Sequence, residues 1–171
     1  MTTTRPGTPE TAETAGTAGT AALDLATLEE LKRLKYRYLT ALDSKRWDDF
    51  AATLAPDVRA DYGHRLSFTG RDAVVAYLSG SLGADIVTVH LCHHPDLEVD
   101  GDDATGRWTL EDTVIVPEHR ILLRGAAIYT DRYHRGDDGR WRIAATGYRR
   151  LYEATVSLDD VPSFTLTGGP G

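Results

Sequence analysis

The hydrophobic periodicity of this chain changes near residue 86, and this change constrains the fold more than any other feature. Before it, apolar residues recur every three or four positions, which is the pattern of one buried helix face. The first of these faces comprises Leu25, Leu28, Leu31, Leu34, Tyr38 and Leu42. After residue 86, apolar and polar residues alternate as in half-buried strands. Helices followed by a run of strands predict an α+β fold.

Three helices are predicted in the first part of the chain. The first begins near Leu28, because Thr27 and Glu30 have the spacing of a capping box. The second covers residues 47–54, and the third covers residues 71–82 between flanking glycines.

Strands account for the rest of the folded part. The segments TGRWTLEDTVIV, RILLRGAAIYTDRYH and RWRIAATGYRRLY are predicted as strands, and DVRADYGHRLSF is short and β-like. The turn RGDDGR carries Asp-Gly hairpin chemistry, and PEH marks a second tight reversal. We therefore expect a curved antiparallel sheet wrapped over the three N-terminal helices as a cone, with one apolar pocket for a small molecule.

Length and composition indicate one folded domain with two flanking segments. The 171 residues suit a single hydrophobic core. Residues 1–22 are rich in Thr, Ala, Gly and Pro and have little to bury, which predicts a disordered tail. The domain is predicted over residues 23–153, and residues 154–171 are predicted as a C-terminal extension that docks on it.

Charge and cysteine content limit the partners and the location. A net charge of −7 and a pI near 5.3 argue against a nucleic-acid partner and against an anionic membrane surface. No apolar run approaches the roughly 20 residues that span a bilayer, and the N-terminal tail lacks the apolar segment of a secretory signal. The single cysteine, Cys92, cannot form an internal disulfide, which favours a reducing cytoplasm.

Strand alternation places Asp112 on an apolar face, where Trp108, Leu110 and Val114 share its parity. A buried carboxylate costs several kcal/mol unless it is paired or hydrogen-bonded. Histidine or arginine is therefore its expected partner, and both a structural ion pair and a catalytic group fit this pattern.

Three histidines cluster in the segment TVHLCHHPDLEV. In a regular strand His90 and His94 share one face and His93 takes the other, although Pro95 favours a bulge. Neither H-E-x-x-H nor C-x-x-C spacing is present, so no metal site is predicted. Solvated positions are predicted for His64, His94, His119 and His134.

Asp43 lies near the end of the first predicted helix, five residues after Tyr38. A carboxylate there is mildly unfavourable, because the C-terminus of a helix carries partial negative charge. Asp43 is either a turn residue that bonds the following backbone or a carboxylate directed into the pocket. Spacing alone leaves both interpretations open.

Five segments together resemble a known family. They are LKYRYLTALDSKRWDDF, VHLCHHPDLEV, ATGRWTLEDTVI, GAAIYTDRY and TGYRRLYE, in this order within residues 28–153. The chain resembles the nuclear transport factor 2-like superfamily, in its SnoaL-like and scytalone-dehydratase-like branch, and there the bile acid 7α-dehydratases. Because this superfamily includes dehydratases, isomerases, cyclases and non-catalytic binders, the resemblance implies the fold more firmly than the substrate.

The resemblance carries specific residues over to this chain. The catalytic positions fall on Tyr38, Asp43, His90, Asp112 and Arg150. Alternation would instead place Arg149 on the face of Trp141 and Ile143, but the motif favours Arg150. His93 matches a second histidine of the family and is predicted to bind substrate. The aromatic residues Tyr62, Trp108, Tyr129 and Tyr148 are also predicted as substrate-binding pocket walls, although aromatic residues in strands are more often plain core.

The chemistry implied is cofactor-free elimination of water from a polycyclic or steroid-like hydroxy ketone. His90 would be the principal base, Asp112 or Asp43 would orient it, and Tyr38 would donate to the carbonyl oxygen. Arg150 would pair with Asp112 or bind an anionic substrate group. One alternative is an isomerase or polyketide cyclase that acts on an enolisable ketone. The other is a non-catalytic small-molecule-binding module, in which these residues need not converge.

The outer face of the sheet is expected to be apolar at Ile128 and along Val114–Val116. An exposed apolar sheet face favours a partner. The resemblance implies a homo-oligomer, with a trimer favoured and a dimer as the alternative.

Overall fold

The computed structural model describes residues 25–63 and 66–168, so the predicted N-terminal tail and His64 lie outside the described residues. The elements follow in the order α1 (Leu25–Asp43), α2 (Trp47–Ala52), β1 (Leu54–Tyr62), β2 (Leu66–Thr69), α3 (Arg71–Ser81), β3 (Val87–Asp100), β4 (Asp103–Val116), β5 (Ile121–Arg135) and β6 (Trp141–Ser157), and a short 3-10 helix spans Leu158–Asp160. The predicted α+β class is confirmed.

The six strands form one sheet in the order β2-β1-β6-β5-β4-β3. Strands β3 to β6 are an antiparallel meander, as expected from their tight turns. The sheet is nevertheless mixed, because β1 pairs in parallel with β6. No hairpin joins β1 to β6, since β2 and α3 follow β1 in the chain, and so nothing forces those two strands to run antiparallel.

The first helix begins earlier than its capping-box signal predicted. Leu25 and Ala26 are already helical, and Thr27 lies buried within α1. Leucine and alanine are good helix formers, which favours this earlier start. The second helix ends at Ala52, short of the predicted end, because Leu54 joins β1.

The hydrophobic core lies between the helices and the inner face of the sheet. Leu31 and Leu34 of α1 and Phe50 of α2 pack against sheet residues that include Leu110 and Ile143, and all are at most 2% exposed. Full burial of an apolar side chain of this size stabilises the fold by roughly 1.5–3 kcal/mol. This packing fixes α1 across the sheet and so sets where its C-terminal end lies.

An irregularity in β6 changes which residues face the core. Ile143 pairs with Tyr133 and Ala145 pairs with Arg132, so Ala144 is an extra residue in β6. A bulge of this kind shifts the alternation by one position. Arg150 is therefore half-buried and Arg149 is exposed, as the motif predicted and regular alternation did not.

The C-terminal end of β6 extends to Ser157, so the predicted domain boundary at residue 153 falls inside this strand. Beyond it, Leu158 is buried and its backbone N–H donates to the carbonyl of Arg120 at 2.7 Å. The 3-10 helix is thus packed on the turn between β4 and β5. Within the described part of the chain, none of the helices has the length and apolar character needed to cross a bilayer.

Candidate active site

A cavity of about 180 Å³ lies between α1, α3 and the inner face of the sheet. Seven of the ten predicted site residues line it, namely Tyr38, Tyr62, His90, Asp112, Tyr129, Tyr148 and Arg150. They come from α1 and from strands β1, β3, β4, β5 and β6. Residues far apart in the sequence therefore meet at one place.

Asp43 and His90 form a hydrogen-bonded pair beside this cavity. His90 lies on β3 opposite Asp112, and Asp43 is the last residue of α1. The Asp43 Oδ1 atom is 2.6 Å from His90 Nδ1, and Oδ2 accepts the backbone N–H of His90 at 2.8 Å. Both side chains are largely buried, with exposures of 9% for His90 and 21% for Asp43. A carboxylate accepting at Nδ1 places the imidazole proton on Nδ1 and leaves Nε2 as the basic nitrogen.

Two further residues hold Asp43 in place, and sequence analysis did not identify them. Thr88 Oγ1 donates to Asp43 Oδ1 at 2.9 Å and accepts from Lys45 Nζ at 2.9 Å. Burial lowers the pKa of Lys45, and the negative charge of Asp43 opposes that shift. Thr88 precedes His90 by two positions on the same strand face, which is the signal that would have identified it.

Asp112 and Arg150 form the second charged pair. Arg150 Nη1 donates to Asp112 Oδ2 at 2.5 Å, and the Asp112 side chain is 4% exposed. Asp112 Oδ1 is buried and has no hydrogen-bond partner among the described residues. The predicted arginine partner of Asp112 is thus present, while His90 pairs with the other carboxylate, Asp43. Asp112 lines the cavity, and its Oδ1 atom packs close to Gly125 of β5.

Tyrosine hydroxyls supply the neutral donors of the site. The hydroxyl groups of Tyr38 and Tyr62 share a hydrogen bond at 3.3 Å. Burial raises the pKa of Tyr38 well above its usual range, and the neighbouring Tyr62 and Tyr129 add to the shift. Because of this raised pKa, Tyr38 stays protonated and can donate at any ordinary pH. The rings of Tyr129 and Tyr148 pack together, with 5.1 Å between their centroids.

A completely buried ion pair lies beneath the cavity and was missed by sequence analysis. Lys35 Nζ donates to Asp131 Oδ2 at 2.7 Å, and both side chains are 0% exposed. Asp131 also accepts from the hydroxyls of Tyr133 at 2.9 Å and Thr146 at 2.7 Å. The Lys35 ammonium lies 4.5 Å from the centroid of the Tyr129 ring. This network supports the tyrosine wall of the cavity from behind.

Trp108 and His93 do not line the cavity as predicted. Trp108 is 1% exposed and donates from Nε1 to the Tyr133 hydroxyl at 2.9 Å, so it belongs to the buried network. His93 pairs with Thr109 and lies on the opposite face of β3 from His90. The bulge predicted near Pro95 is present directly after His93. His94 has a φ of 47°, and the β3–β4 register shifts between His93 and Asp96.

Three of the four histidines predicted to be solvated lie within the described residues. His94, His119 and His134 are exposed, as expected. His134 Nδ1 lies 3.0 Å from Asp103 Oδ1 at the surface.

The arrangement can bind and deprotonate a small carbonyl compound. His90 offers a basic nitrogen oriented by a carboxylate, Tyr38 offers a protonated hydroxyl, and Asp112 offers an acceptor oxygen held by a cation. A base, a hydrogen-bond donor for a developing oxyanion and an acceptor for a hydroxyl are the groups that acid–base catalysis next to a carbonyl requires.

Comparison with known proteins agrees with this fold. The model of the SnoaL-like domain matches residues 24–146. An uncharacterized protein of Mycobacterium tuberculosis is 31% identical over 116 residues, which are 67% of this chain and 78% of that protein.

Two solved structures illustrate the structural likeness. A putative scytalone dehydratase from Novosphingobium aromaticivorans superposes with a TM-score of 0.70 at 20% identity, covering 85% of this chain and 93% of that one. The type 3 hexachlorocyclohexane dehydrochlorinase from Novosphingobium barchaimii gives a TM-score of 0.70 at 19% identity, covering 78% and 92%. At these identities the likeness concerns the fold.

Proposed function

The chain belongs to the SnoaL-like family of the nuclear transport factor 2-like superfamily, and from that premise we propose that it is a dehydratase, a lyase that eliminates water from a hydroxy ketone without a cofactor. The observation that supports this most is the 2.6 Å contact between Asp43 and His90 at the wall of the cavity. A carboxylate that accepts at Nδ1 leaves the Nε2 atom of this histidine able to act as a general base.

His90 Nε2 takes the proton from the carbon next to the substrate carbonyl. The C–H electron pair passes to the carbonyl oxygen as an enolate, and the Tyr38 hydroxyl donates to that oxygen. As the enolate collapses, the C–O bond of the hydroxyl breaks and the imidazolium returns its proton to the departing oxygen. The products are the unsaturated ketone and water, and His90 ends neutral.

The two carboxylates have different roles in this scheme. Asp43 stabilises the imidazolium that forms on His90, since it already accepts at Nδ1. Asp112 lines the cavity, and in this scheme its carboxylate accepts a hydrogen bond from the substrate hydroxyl and orients it. Arg150 keeps this acceptor in position through Asp112 Oδ2.

The cavity limits how a substrate can sit. Its volume of about 180 Å³ is below the roughly 300–1,000 Å³ of pockets that enclose drug-sized ligands. A polycyclic or steroid-like substrate, which the motif resemblance implies, would place its reacting ring inside and the remaining rings at the mouth beside Leu66 and Leu82. Aromatic walls from Tyr62, Tyr129 and Tyr148 suit a flat apolar ring system.

An isomerase or polyketide cyclase is the second candidate, because proton abstraction from an enolisable ketone would use the same base. Elimination is favoured here because Asp112 lines the cavity as a group that can orient a substrate hydroxyl for protonation by the imidazolium, and simple isomerisation needs no such group. The names of the two similar structures, a dehydrochlorinase and a putative dehydratase, also describe eliminations. A purely binding module is disfavoured because Tyr38, His90 and Asp112 converge on one cavity.

The test is incubation of the wild type and of His90→Ala with hydroxylated 3-keto steroids and β-hydroxy ketones, followed by mass spectrometry. His119→Ala is the control, because His119 is exposed and does not line the cavity. Loss of one water by the wild type and by His119→Ala, but not by His90→Ala, is the expected result. Unchanged mass with solvent deuterium incorporated beside the carbonyl would identify the isomerase or cyclase instead. Water loss that persists in His90→Ala would contradict the proposal.

A further inference from the structure

A second and larger cavity, of about 940 Å³, lies elsewhere on the molecule and shares no lining residue with the first. It opens between α1, α2, the start of α3 and the turn that joins β5 to β6. Six arginines line it, namely Arg33, Arg37, Arg46, Arg71, Arg140 and Arg142. We refer to it as the arginine groove.

The charge of the arginine groove is opposite to that of the protein. Glu30 and Asp49 are the acidic residues of its lining, so the lining carries a formal charge of +4, whereas the whole chain carries −7. Charge of this kind concentrated in a concavity attracts anions. Six of the fourteen arginines among the described residues line this one concavity.

Some of these arginines are already engaged by protein groups. Arg46 pairs with Asp49 at 2.7 Å, and Arg33 pairs with Glu29 at 3.1 Å. Arg142 makes two hydrogen bonds to Asp138, which lower the pKa of that carboxyl. At least one side chain of each pair is exposed to solvent, so these ion pairs are weak and can be exchanged for a ligand.

Other donors of the groove have no such engagement. The guanidinium groups of Arg37 and Arg140 make no hydrogen bond or ion pair with any residue in 25–63 or 66–168. Arg71 donates only to the backbone carbonyl of Leu54, at 2.8 and 3.1 Å. Positive charge is thus left available on α1 and on the β5–β6 turn, on two sides of the groove.

Trp141 provides an independent indication of a ligand. Its side chain lines the groove and is 6% exposed. Its Nε1 atom is buried and finds no acceptor among the described residues. Buried donors in proteins are almost always satisfied, and an acceptor from a bound water, ion or ligand is one explanation for a donor that is not. An anionic oxygen in the groove would accept from this indole N–H.

We propose that the arginine groove binds a small molecule that carries two or more phosphate groups. Guanidinium groups match phosphate oxygens in a bidentate geometry, which makes arginine the preferred residue for phosphate recognition. The groove is much larger than one phosphate, and its unengaged arginines lie on separate elements, so a ligand with several phosphates fits better than a single anion. This site does not depend on the elimination proposed above.

The test is isothermal titration calorimetry of the full chain with inorganic tripolyphosphate and with ADP, and with monophosphate as the comparison ligand. We expect saturable binding of tripolyphosphate, of ADP or of both, and much weaker binding of monophosphate. Equal affinity for the two probes would identify the phosphate chain as the recognised feature, and tighter binding of ADP would identify a nucleotide. Absence of saturable binding of either probe up to millimolar concentration would overturn the proposal.

Variants locate the site. Arg37→Ala and Arg140→Ala should each weaken binding by about tenfold, the usual effect of losing one charge-assisted hydrogen bond. Trp141→Phe keeps the ring but removes the N–H, and should weaken binding as well. Arg132→Ala, at an exposed arginine on β5 outside the groove, should leave affinity unchanged. Unchanged affinity in the Arg37→Ala/Arg140→Ala double variant would overturn the assignment to this groove.

Discussion

Asp43 shows how a locally unfavourable residue is stabilised by tertiary contacts. A carboxylate in the last turn of a helix faces the partial negative charge of the free carbonyls there. In this protein it accepts hydrogen bonds from the Thr88 hydroxyl and from the backbone N–H of His90, and it contacts His90 Nδ1. These three contacts all come from β3. The site thus requires the end of α1 to be fixed against that strand.

Tyr38→Phe tests whether the buried hydroxyl stabilises an oxyanion. Loss of one such donor should lower kcat by roughly 10²–10³. Since burial raises the pKa of Tyr38, its protonated form persists above the ordinary range, and Tyr38 should cause no loss of activity between about pH 7 and 10. The pH profile of the variant should therefore keep the shape of the wild type. Tyr36→Phe is the control, since Tyr36 is 44% exposed. An alkaline decline present in the wild type and absent from Tyr38→Phe would contradict this role.

At the scale of elements, the close approach of β5 to the second charged pair depends on a glycine. A Cβ atom at Gly125 would lie 2.5 Å from Arg150 Nη1 and 2.9 Å from Asp112 Oδ1. Gly125→Ala should therefore displace the Arg150 guanidinium while the fold is retained. Because losing a charge-assisted hydrogen bond costs about 1.5–3 kcal/mol, kcat/KM should fall about tenfold or more.

The matched control for this prediction is Gly80→Ala. A Cβ atom at Gly80 meets nothing within 4 Å, and alanine is favoured over glycine in a helix. Circular dichroism and steady-state kinetics of both variants are the measurements. Full activity of Gly125→Ala would show that the position of Arg150 does not matter for turnover.

The Lys35–Asp131 pair links α1 to β5 inside the core. Replacing one member of a buried pair leaves the other charge uncompensated, which costs roughly 3–5 kcal/mol. Lys35→Met should therefore lower the free energy of unfolding by about that amount in urea titrations. Lys35→Met combined with Asp131→Asn should recover part of the loss, because the uncompensated charge is removed. Arg33→Gln, which breaks the exposed pair with Glu29, should cost no more than about 1 kcal/mol. Equal costs for Lys35→Met and Arg33→Gln would contradict this account.

At the scale of the whole molecule, the outer face of the sheet carries apolar side chains. Leu91 is 52% exposed, and the strand register connects it through Glu111 and Ala126 to Tyr152, which is also 52% exposed. The expected outer position of Val114 was wrong, because this residue lines the cavity beside His90 and Asp112. Leu91 and Tyr152, and not Val114, are therefore exposed apolar residues of this face.

We expect this face to join copies of the chain into a homo-oligomer, with a trimer favoured over a dimer. Light scattering at micromolar concentration should give two or three times the 18.7 kDa mass of the chain. Leu91→Asp should lower the average mass, because a charge at an apolar contact disfavours association. Leu166→Asp, at an exposed leucine outside the sheet, is the control. A monomer mass for the wild type would contradict the prediction.

The sequence predicted those parts of the molecule that follow from regular periodicity. Strand alternation correctly predicted that Asp112 is buried, and the apolar helix periodicity correctly predicted the position of α1. It could not place Arg150, because the extra residue Ala144 inverts the alternation and no side-chain pattern marks that bulge. The motif resemblance identified Arg150 instead.

The sequence also could not predict which residues pair when the partners are far apart in the chain. Lys35 lies on the apolar face of α1, and Asp131 shares the buried parity of Tyr129 and Tyr133, so each breaks a pattern that could have been noticed. Their contact spans 96 positions, and only the packed fold brings the two together. The choice of Asp43 over Asp112 as the partner of His90 was open for the same reason.

The most direct test of the account is the tautomer of His90, measured by nitrogen-15 NMR of the imidazole at a pH where the ring is neutral. The His90→Ala spectrum assigns the signal among the six histidines. We predict a proton on Nδ1 and a bare Nε2 in the wild type, and a loss of this preference in Asp43→Asn, because the carboxylate selects the tautomer. A proton on Nε2 in the wild type would leave His90 without its basic nitrogen and contradict the proposed catalysis.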